Sequence, residues 1–242
     1  MEFINILGVK ISALNMEESV NKAKEFLLGD KTSVIFTPNS EIVMNAYKDK
    51  NFLDIINSAD MRTPDGIGLI YASKILKTPL RERVAGFDLT MNLLGSLNDM
   101  GKSVYFFGSA PGIAMEAKTK IEEKYPGINV CGVSDGYFDE IKEKKIIDDI
   151  NNKNPDLLLV CLGSPKQETW IFNHKNELKC KLMMGVGGTL DVISGNVKRA
   201  PDIFIKLGLE WFYRLLKQPS RIGRMMALPK FLITVIMKRG EK

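Results

Sequence analysis

From Lys102 to Ser194 the chain repeats one alternation four times: a short, uninterrupted apolar run, then a longer amphipathic segment. KSVYFFG leads into PGIAMEAKTKIEEKY, INVCGVS into DEIKEKKIIDDINNK, PDLLLVCLG into SPKQETWIFNHKNEL, and KLMMGVG into GTLDVIS. Runs with no polar alternation suit strands covered on both faces, and the segments between them are the helices that do the covering. This pattern specifies an α/β fold, a mostly parallel sheet with helices on both faces. The upstream half fits it. TSVIFT (32–37) reads as a buried strand, PNSEIVMNAYKD as a helix with Pro38 in its first turn, and SADMRT as a weaker strand. DGIGLIYASKIL and FDLTMNLLGSLNDM read as further helices. At the N-terminus FINILGVKI reads as a small hairpin around Gly8. In NMEESVNKAKEFLLGD, Asn15 and Glu18 form a capping box and Gly29 ends the helix.

The 242 residues are 45% hydrophobic and 26% charged, ordinary for a globular protein with a well-buried core. Cys131, Cys161 and Cys180 form no C-x-x-C pair and read as buried, reduced thiols. A single histidine, His174, rules out a His-rich metal site and reads as a solvated helix residue. No basic segment followed by a long apolar stretch opens the chain, and no run approaches the roughly 18–20 apolar residues of a membrane span. The expected location is therefore the cytoplasm.

Charge is unevenly spread. The net value is +5, but residues 198–242 hold eleven Lys/Arg against three acids, a net +8 that leaves −3 for the preceding 197 residues. A basic tail on a mildly acidic body calls for a polyanionic partner: a phosphate-bearing substrate, an anionic membrane or nucleic acid. No aromatic–basic interleaving of the kind that binds single-stranded nucleic acid is present, which places that partner last. The tail from Pro201 changes character: DIFIKLGLEWFYRLLKQP reads as one helix, followed by segments punctuated by Pro219 and Pro229.

In an open parallel sheet, ligands bind beyond the carboxyl ends of the strands. Four such ends carry small residues that expose backbone: GSAPG (108–112), SDGYF (134–138), GSPKQE (163–168) and GVGG (185–188). Each turn alone is ordinary in an α/β protein; together, next to helix N-termini, they favour a nucleotide or phosphate ligand. A dinucleotide oxidoreductase is the rival, but in GVGGTL the third glycine position is Leu190. No Walker A run and no D-x-D triplet occur.

Three polar stretches remain. FTPNSE puts Thr37 and Asn39 at a strand end, where capping is the simplest role. GSPKQE reads as a capping box, with Ser164 at N-cap, Pro165 at N1 and Gln167 at N3. TPDG places Asp65 at the start of a helix, as a cap or as a catalytic base.

Taken in order, TPNSEIVMNA, ADMRTPDGIGLIYASK, RVAGFDL, YFFGS, GYF, LGSPKQE, GVGGTLDVISGNVKRAP and LEWFYRL resemble the WecG/TagA/CpsF family of bacterial glycosyltransferases, over about residues 32–224. The likeness is greatest to the members that act in wall teichoic acid synthesis. It implies a Rossmann-like body over 1–195 and a basic, amphipathic, membrane-associating appendage over 196–242. It also implies an inverting, metal-independent transfer that needs no cofactor. N-acetylmannosamine would pass from UDP-ManNAc to the 4-hydroxyl of GlcNAc on undecaprenyl diphosphate at the inner face of the cell membrane. Other members use other UDP-sugars, and no residue here distinguishes the donors physically.

The resemblance also implies roles. Asp65 would be the general base that takes the acceptor hydroxyl's proton. Thr37, Asn39 and Gln167 would orient the substrates, with Arg83 a pocket cation or a solvated charge. The nucleotide would lie on Gly108, Ser109, Gly136, Tyr137 and Gly187, with Asp191 on a ribose hydroxyl or the base and Tyr137 against uracil or simply packed. Arg214, Arg221 and Arg224 would hold the diphosphate of donor or lipid; KQPSRIGR departs from the family pattern around the last two. The apolar residues Trp211, Phe212, Leu215 and Leu216 suit a helix lying on lipid, or a packed terminal helix, or a subunit interface in a homo-oligomer. A non-catalytic membrane adaptor is the remaining alternative.

Overall fold

The computed structural model describes residues 1–217 and 226–239. A hairpin of β1 (Phe3–Ile6) and β2 (Val9–Ser12) precedes α1 (Met16–Leu28). Then come β3 (Ser33–Phe36), α2 (Ser40–Lys48), α3 (Lys50–Asn57), β4 (Met61–Arg62), α4 (Ile67–Ile75) and α5 (Gly86–Met100). The regular half follows: β5 (Ser103–Gly108), α6 (Ile113–Lys124), β6 (Asn129–Ser134), α7 (Glu140–Lys153), β7 (Leu157–Cys161), α8 (Lys166–His174), β8 (Leu182–Gly185) and α9 (Thr189–Ile193). Three helices close the described chain: α10 (Asp202–Lys206), α11 (Glu210–Lys217) and α12 (Ala227–Lys238).

Six strands form one sheet in the order β4-β3-β8-β7-β5-β6, and every pairing in it is parallel. The uninterrupted apolar strands work as expected, because alternate residues feed opposite cores. Val34, Phe36, Tyr105, Phe107, Leu158, Val160 and Met183 join the core under α2, α3, α4, α7 and α8. Ile35, Val104, Phe106, Leu157, Leu159, Leu182 and Met184 join the core under α1, α5, α6 and α9. The hairpin is fastened to the β4 edge by Arg62, whose buried guanidinium donates to the carbonyls of Lys10, Asn57 and Ala59. The α1 capping box forms as read from the sequence.

Several boundaries differ from the sequence expectation. Pro38 lies outside α2, and Asn39 is the N-cap, accepting from the Ile42 N–H at 3.0 Å. The strand in SADMRT is two residues long. The expected single helix from Asp202 is two, broken at Gly208, whose φ of +70° leaves the helical region. Pro229 does not interrupt α12 but sits in its first turn, where a missing N–H costs nothing. The break expected at Pro219 lies outside the described residues.

The C-terminal helix is anchored in the body. Phe231 and Val235 of α12 are buried in the same core as Ile42, Val43 and Leu69. Gly68 permits the approach: a β-carbon there would lie 2.0 Å from Ser40 Oγ and 2.6 Å from Leu228 Cδ1. Packing on α2 and α4 brings the start of α12 to the end of β3, where the polar residues collect.

Candidate active site

Chain direction sets the first cavity. From β5 the chain crosses by α6 to β6, and from the adjacent β7 it crosses by α8 to β8, on the other side. Ala114, Ala117 and Ile121 of α6 pack in one core, Trp170 and Ile171 of α8 in the other. Neighbouring strands whose connections diverge leave a crevice beyond their carboxyl ends. Here it is a cleft of 660 Å³ whose walls include Ser109, Gly136, Tyr137, Gly163, Lys166, Gly187 and Asp191. The turns forming it are tied together. The Ser109 N–H donates to the Cys161 carbonyl at 2.9 Å, and the Gly136 N–H to the Ser109 carbonyl at 2.8 Å. Ser109 Oγ donates to Asp191 Oδ2 at 2.9 Å, so these two act as one polar unit on the cleft wall. Tyr137 is 68% exposed, with a ring face available to a ligand.

A second, smaller pocket of 180 Å³ lies beyond β3 and β4, lined by Asn39, Glu41, Asp65, Arg83, Glu210, Trp211 and Leu228 among others. Asp65 is not the cap of α4. Gly66 holds the N-cap position, with no side-chain capping bond. The Asp65 N–H donates to the Pro38 carbonyl at 3.0 Å, and its Oδ2 accepts the Gly86 N–H at 3.2 Å. The carboxylate thus rests at the N-terminal end of α5, where helix dipole and free N–H groups favour negative charge. Arg83 is not a solvated charge: its Nη2 meets Glu210 Oε2 at 2.9 Å, with both side chains about 15% exposed. This pair ties α11 to the body at the rim of the Asp65 pocket.

Thr37 and Gln167 line neither cavity. Both are buried, and both hold the segment of chain between the cavities. Thr37 Oγ1 donates to the Gly185 carbonyl at 3.1 Å, at the end of β8. Gln167 Oε1 accepts the Gly187 N–H at 3.0 Å, and its Nε2 donates to Glu168 Oε1 at 2.9 Å. The capping box expected in GSPKQE does not form. Pro165, after a cis Ser164–Pro165 bond, is the N-cap, and no side chain caps the helix. The Gln167 amide is spent on Gly187 and Glu168 instead of reaching back.

Glu168 is fully buried, and burial pushes its carboxyl above the ordinary carboxylate range. A carboxyl that binds its proton more tightly folded than unfolded stabilises the fold at low pH. That contribution is lost as pH rises from the unfolded value through the folded one. Glu168→Gln keeps an acceptor for Gln167 and removes the titration. Its melting temperature, compared with wild type from pH 4.5 to pH 8, is expected to gain on wild type as pH rises.

Outside the two cavities, His174 is not the solvated residue expected. Its ring packs on Trp170 at 4.8 Å, with Glu143 at 3.4 Å and Glu177 also on it. Cys161 and Cys180 are buried free thiols, both pushed up to about 12 by burial. Among the described residues no group of three or more His, Cys, Asp or Glu is placed to hold a metal ion.

Known proteins with this sequence pattern carry the decisive likeness. The profile of the "Glycosyl transferase WecG/TagA/CpsF family" matches residues 4–242. The chain belongs to that family. A Bacillus subtilis (strain 168) relative is 39% identical over 210 residues, 87% of this chain and 81% of its own. It is named N-acetylglucosaminyldiphosphoundecaprenol N-acetyl-beta-D-mannosaminyltransferase. A Staphylococcus aureus (strain MRSA252) relative of the same name is 36% identical over 234 residues, 96% of this chain and 91% of its own.

As a glycosyltransferase of this family, the chain brings several of its motif residues together. Asn39, Asp65 and Arg83 share the smaller pocket; Ser109, Gly136, Tyr137, Gly187 and Asp191 share the larger cleft. Gly108 lies just behind the cleft wall, where its missing side chain lets β5 end against Cys161. Arg214 belongs to α11, while Arg221 and Arg224 lie outside the described residues. Sequence reasoning passed over Lys166, Glu41 and Glu210. Lys166 was legible as a cation directly after a strand-end turn; Glu41 and Glu210 become pocket residues only through packing of α2, α4 and α11.

Proposed function

We propose that this glycosyltransferase moves N-acetylmannosamine from UDP-ManNAc to the 4-hydroxyl of GlcNAc carried on undecaprenyl diphosphate, with inversion and without a metal. The relatives' names supply the donor sugar and acceptor. The observation that carries the reading is the adjacency of a carboxylate pocket and a nucleotide-sized cleft, spaced across the ends of β3, β8 and β7. Strands lie about 4.8 Å apart and β8 stands between β3 and β7, so the strand ends that carry the two sites are on the order of 10 Å apart.

Donor UDP occupies the larger cleft, its uracil against Tyr137 and a ribose hydroxyl or the base on Asp191. The acceptor hydroxyl enters beside Asp65. As its oxygen attacks the anomeric carbon from the face opposite UDP, Asp65 takes the hydroxyl proton. The bond to the diphosphate oxygen breaks, and UDP departs with the electron pair. UDP is a good leaving group, so the remaining need is to stabilise its negative charge. Asn39 helps to seat the acceptor. Thr37 and Gln167 position the β8 turn between the two substrates rather than touching them, and Arg83 is held at the rim by Glu210.

The lipid acceptor requires approach to a membrane surface, and the C-terminal helices suit this. Ile203, Leu207, Phe212, Leu216, Ile233, Ile236 and Met237 are exposed on α10–α12 and the turn within them. No helix among the described residues is long and apolar enough to cross a membrane. Apolar groups beside a net +8 segment fit a surface that lies on anionic lipid, where each basic residue contributes about 1 kcal/mol.

The test is UDP release from UDP-ManNAc with a short-chain GlcNAc-diphospholipid acceptor in EDTA. Acceptor-dependent release is expected. Release with another UDP-sugar but not UDP-ManNAc would move the reading to that donor, and no release with any UDP-sugar would overturn it.

A further inference from the structure

A diphosphate leaving group brings concentrated negative charge into the larger cleft, yet that cleft is poor in cations. Among the described residues lining it, Lys166 alone is basic, and Asp191 carries the opposite charge. Lys166 is also pre-positioned. It opens α8, immediately after the β7 turn, and its Nζ donates across the cleft to the Gly136 carbonyl at 3.2 Å. The same ammonium sits 4.0 Å from the centroid of the Phe138 ring. A carbonyl and a ring face hold a cation in place without neutralising it. Among the described residues no carboxylate lies within salt-bridge distance of Lys166. Nearby Lys142 shows the contrast. Its Nζ is taken up by both oxygens of Asp135, at 2.9 Å each, and by the Tyr137 carbonyl at 2.7 Å.

We propose that Lys166 is a diphosphate-binding residue of this transferase, the cation that meets the donor's phosphates and the charge that grows on UDP as the glycosidic bond breaks. This rests on the UDP-sugar reading above and adds a residue to it. Lysine acts toward phosphate as a point charge on a flexible stem, so no bidentate geometry is required. The Gly136 carbonyl is a weak competitor that phosphate oxygens displace.

The test is calorimetric titration of the full chain with UDP and, separately, with uridine, for wild type, Lys166→Met and Lys166→Arg. Lys166 is exposed, so neither substitution disturbs the core. The expected result is a loss of UDP affinity of about 10- to 100-fold in Lys166→Met, the range for a charge-assisted hydrogen bond, with uridine affinity unchanged and substantial recovery in Lys166→Arg. The discriminating quantity is the ratio of the two affinities, which a merely structural lysine would not move. UDP binding by Lys166→Met equal to wild type overturns the assignment. So does a parallel loss of UDP and uridine, which would mean the side chain only shapes the Gly136 turn. If wild type itself binds no UDP, the UDP-sugar reading falls with it; the first two outcomes leave that reading standing.

Discussion

Asp65→Asn is expected to lower turnover by about 10²- to 10⁴-fold while leaving fold and UDP affinity near wild type. The amide oxygen still accepts the Gly86 N–H that Asp65 Oδ2 accepts now, so the link between the β4 turn and α5 survives. Proton affinity is what is lost, and only the bond-forming step uses it. The carboxylate rests at the N-terminal end of α5, a setting that favours negative charge, and a neutral amide gains little there. Single-turnover UDP release measures the effect directly, with melting temperature as the control on folding. Glu41 lines the same pocket and is the comparison. If Asp65→Asn turns over like wild type and Glu41→Gln does not, the base is Glu41.

How much of this was legible in the sequence divides along sequence separation. The sheet, its parallel sense and its strand-end turns could be read because each rests on a local period: an apolar run, a helical repeat, a glycine. The α1 capping box spans three residues and was read correctly. What failed was decided by distant partners. Of the two roles open to Asp65, the cap of α4 gave way to a bond with Gly86, 21 residues on. Gln167 looked like a capping residue because Gly187, its real partner, is 20 residues away in the turn after the next strand. Thr37 reaches 148 residues to Gly185, and Arg83 reaches 127 to Glu210. Local pattern offers no signal for such bonds. The ordered family motifs marked Thr37 and Gln167 as important, but did not say that both are buried behind the cavities. The C-terminal helices were misread for a local reason instead. Gly208 breaks a hydrophobic stretch that reads as one helix, while Pro229 falls in a first turn that tolerates it.

Gly108→Val is expected to cost about 3–5 kcal/mol and to remove UDP binding along with it. Two separate penalties add. Gly108 has φ +131°, a region where a β-branched residue is strained by about 1–3 kcal/mol. A β-carbon there would also lie 2.3 Å from the Cys161 carbonyl oxygen and 2.4 Å from its carbonyl carbon. Those are backbone atoms of β7, the strand paired with β5, and they cannot rotate away as a side chain would. Relief requires the ends of β5 and β7 to part. That parting breaks the Ser109 N–H to Cys161 bond and moves Ser109 off Asp191. For a chain of this size the loss corresponds to a fall in melting temperature of roughly 6–20 °C. Gly101→Ala separates the two penalties, because Gly101 also has positive φ, +64°, but nothing lies within 4 Å of its would-be β-carbon. That variant carries only the conformational cost, about 1 kcal/mol. A Gly108→Val protein that melts like Gly101→Ala would mean that β7 yields at Cys161. A Gly108→Val protein that melts far lower and binds no UDP would tie the cleft to this one contact between strands, because the turn that carries Ser109 leaves the sheet there.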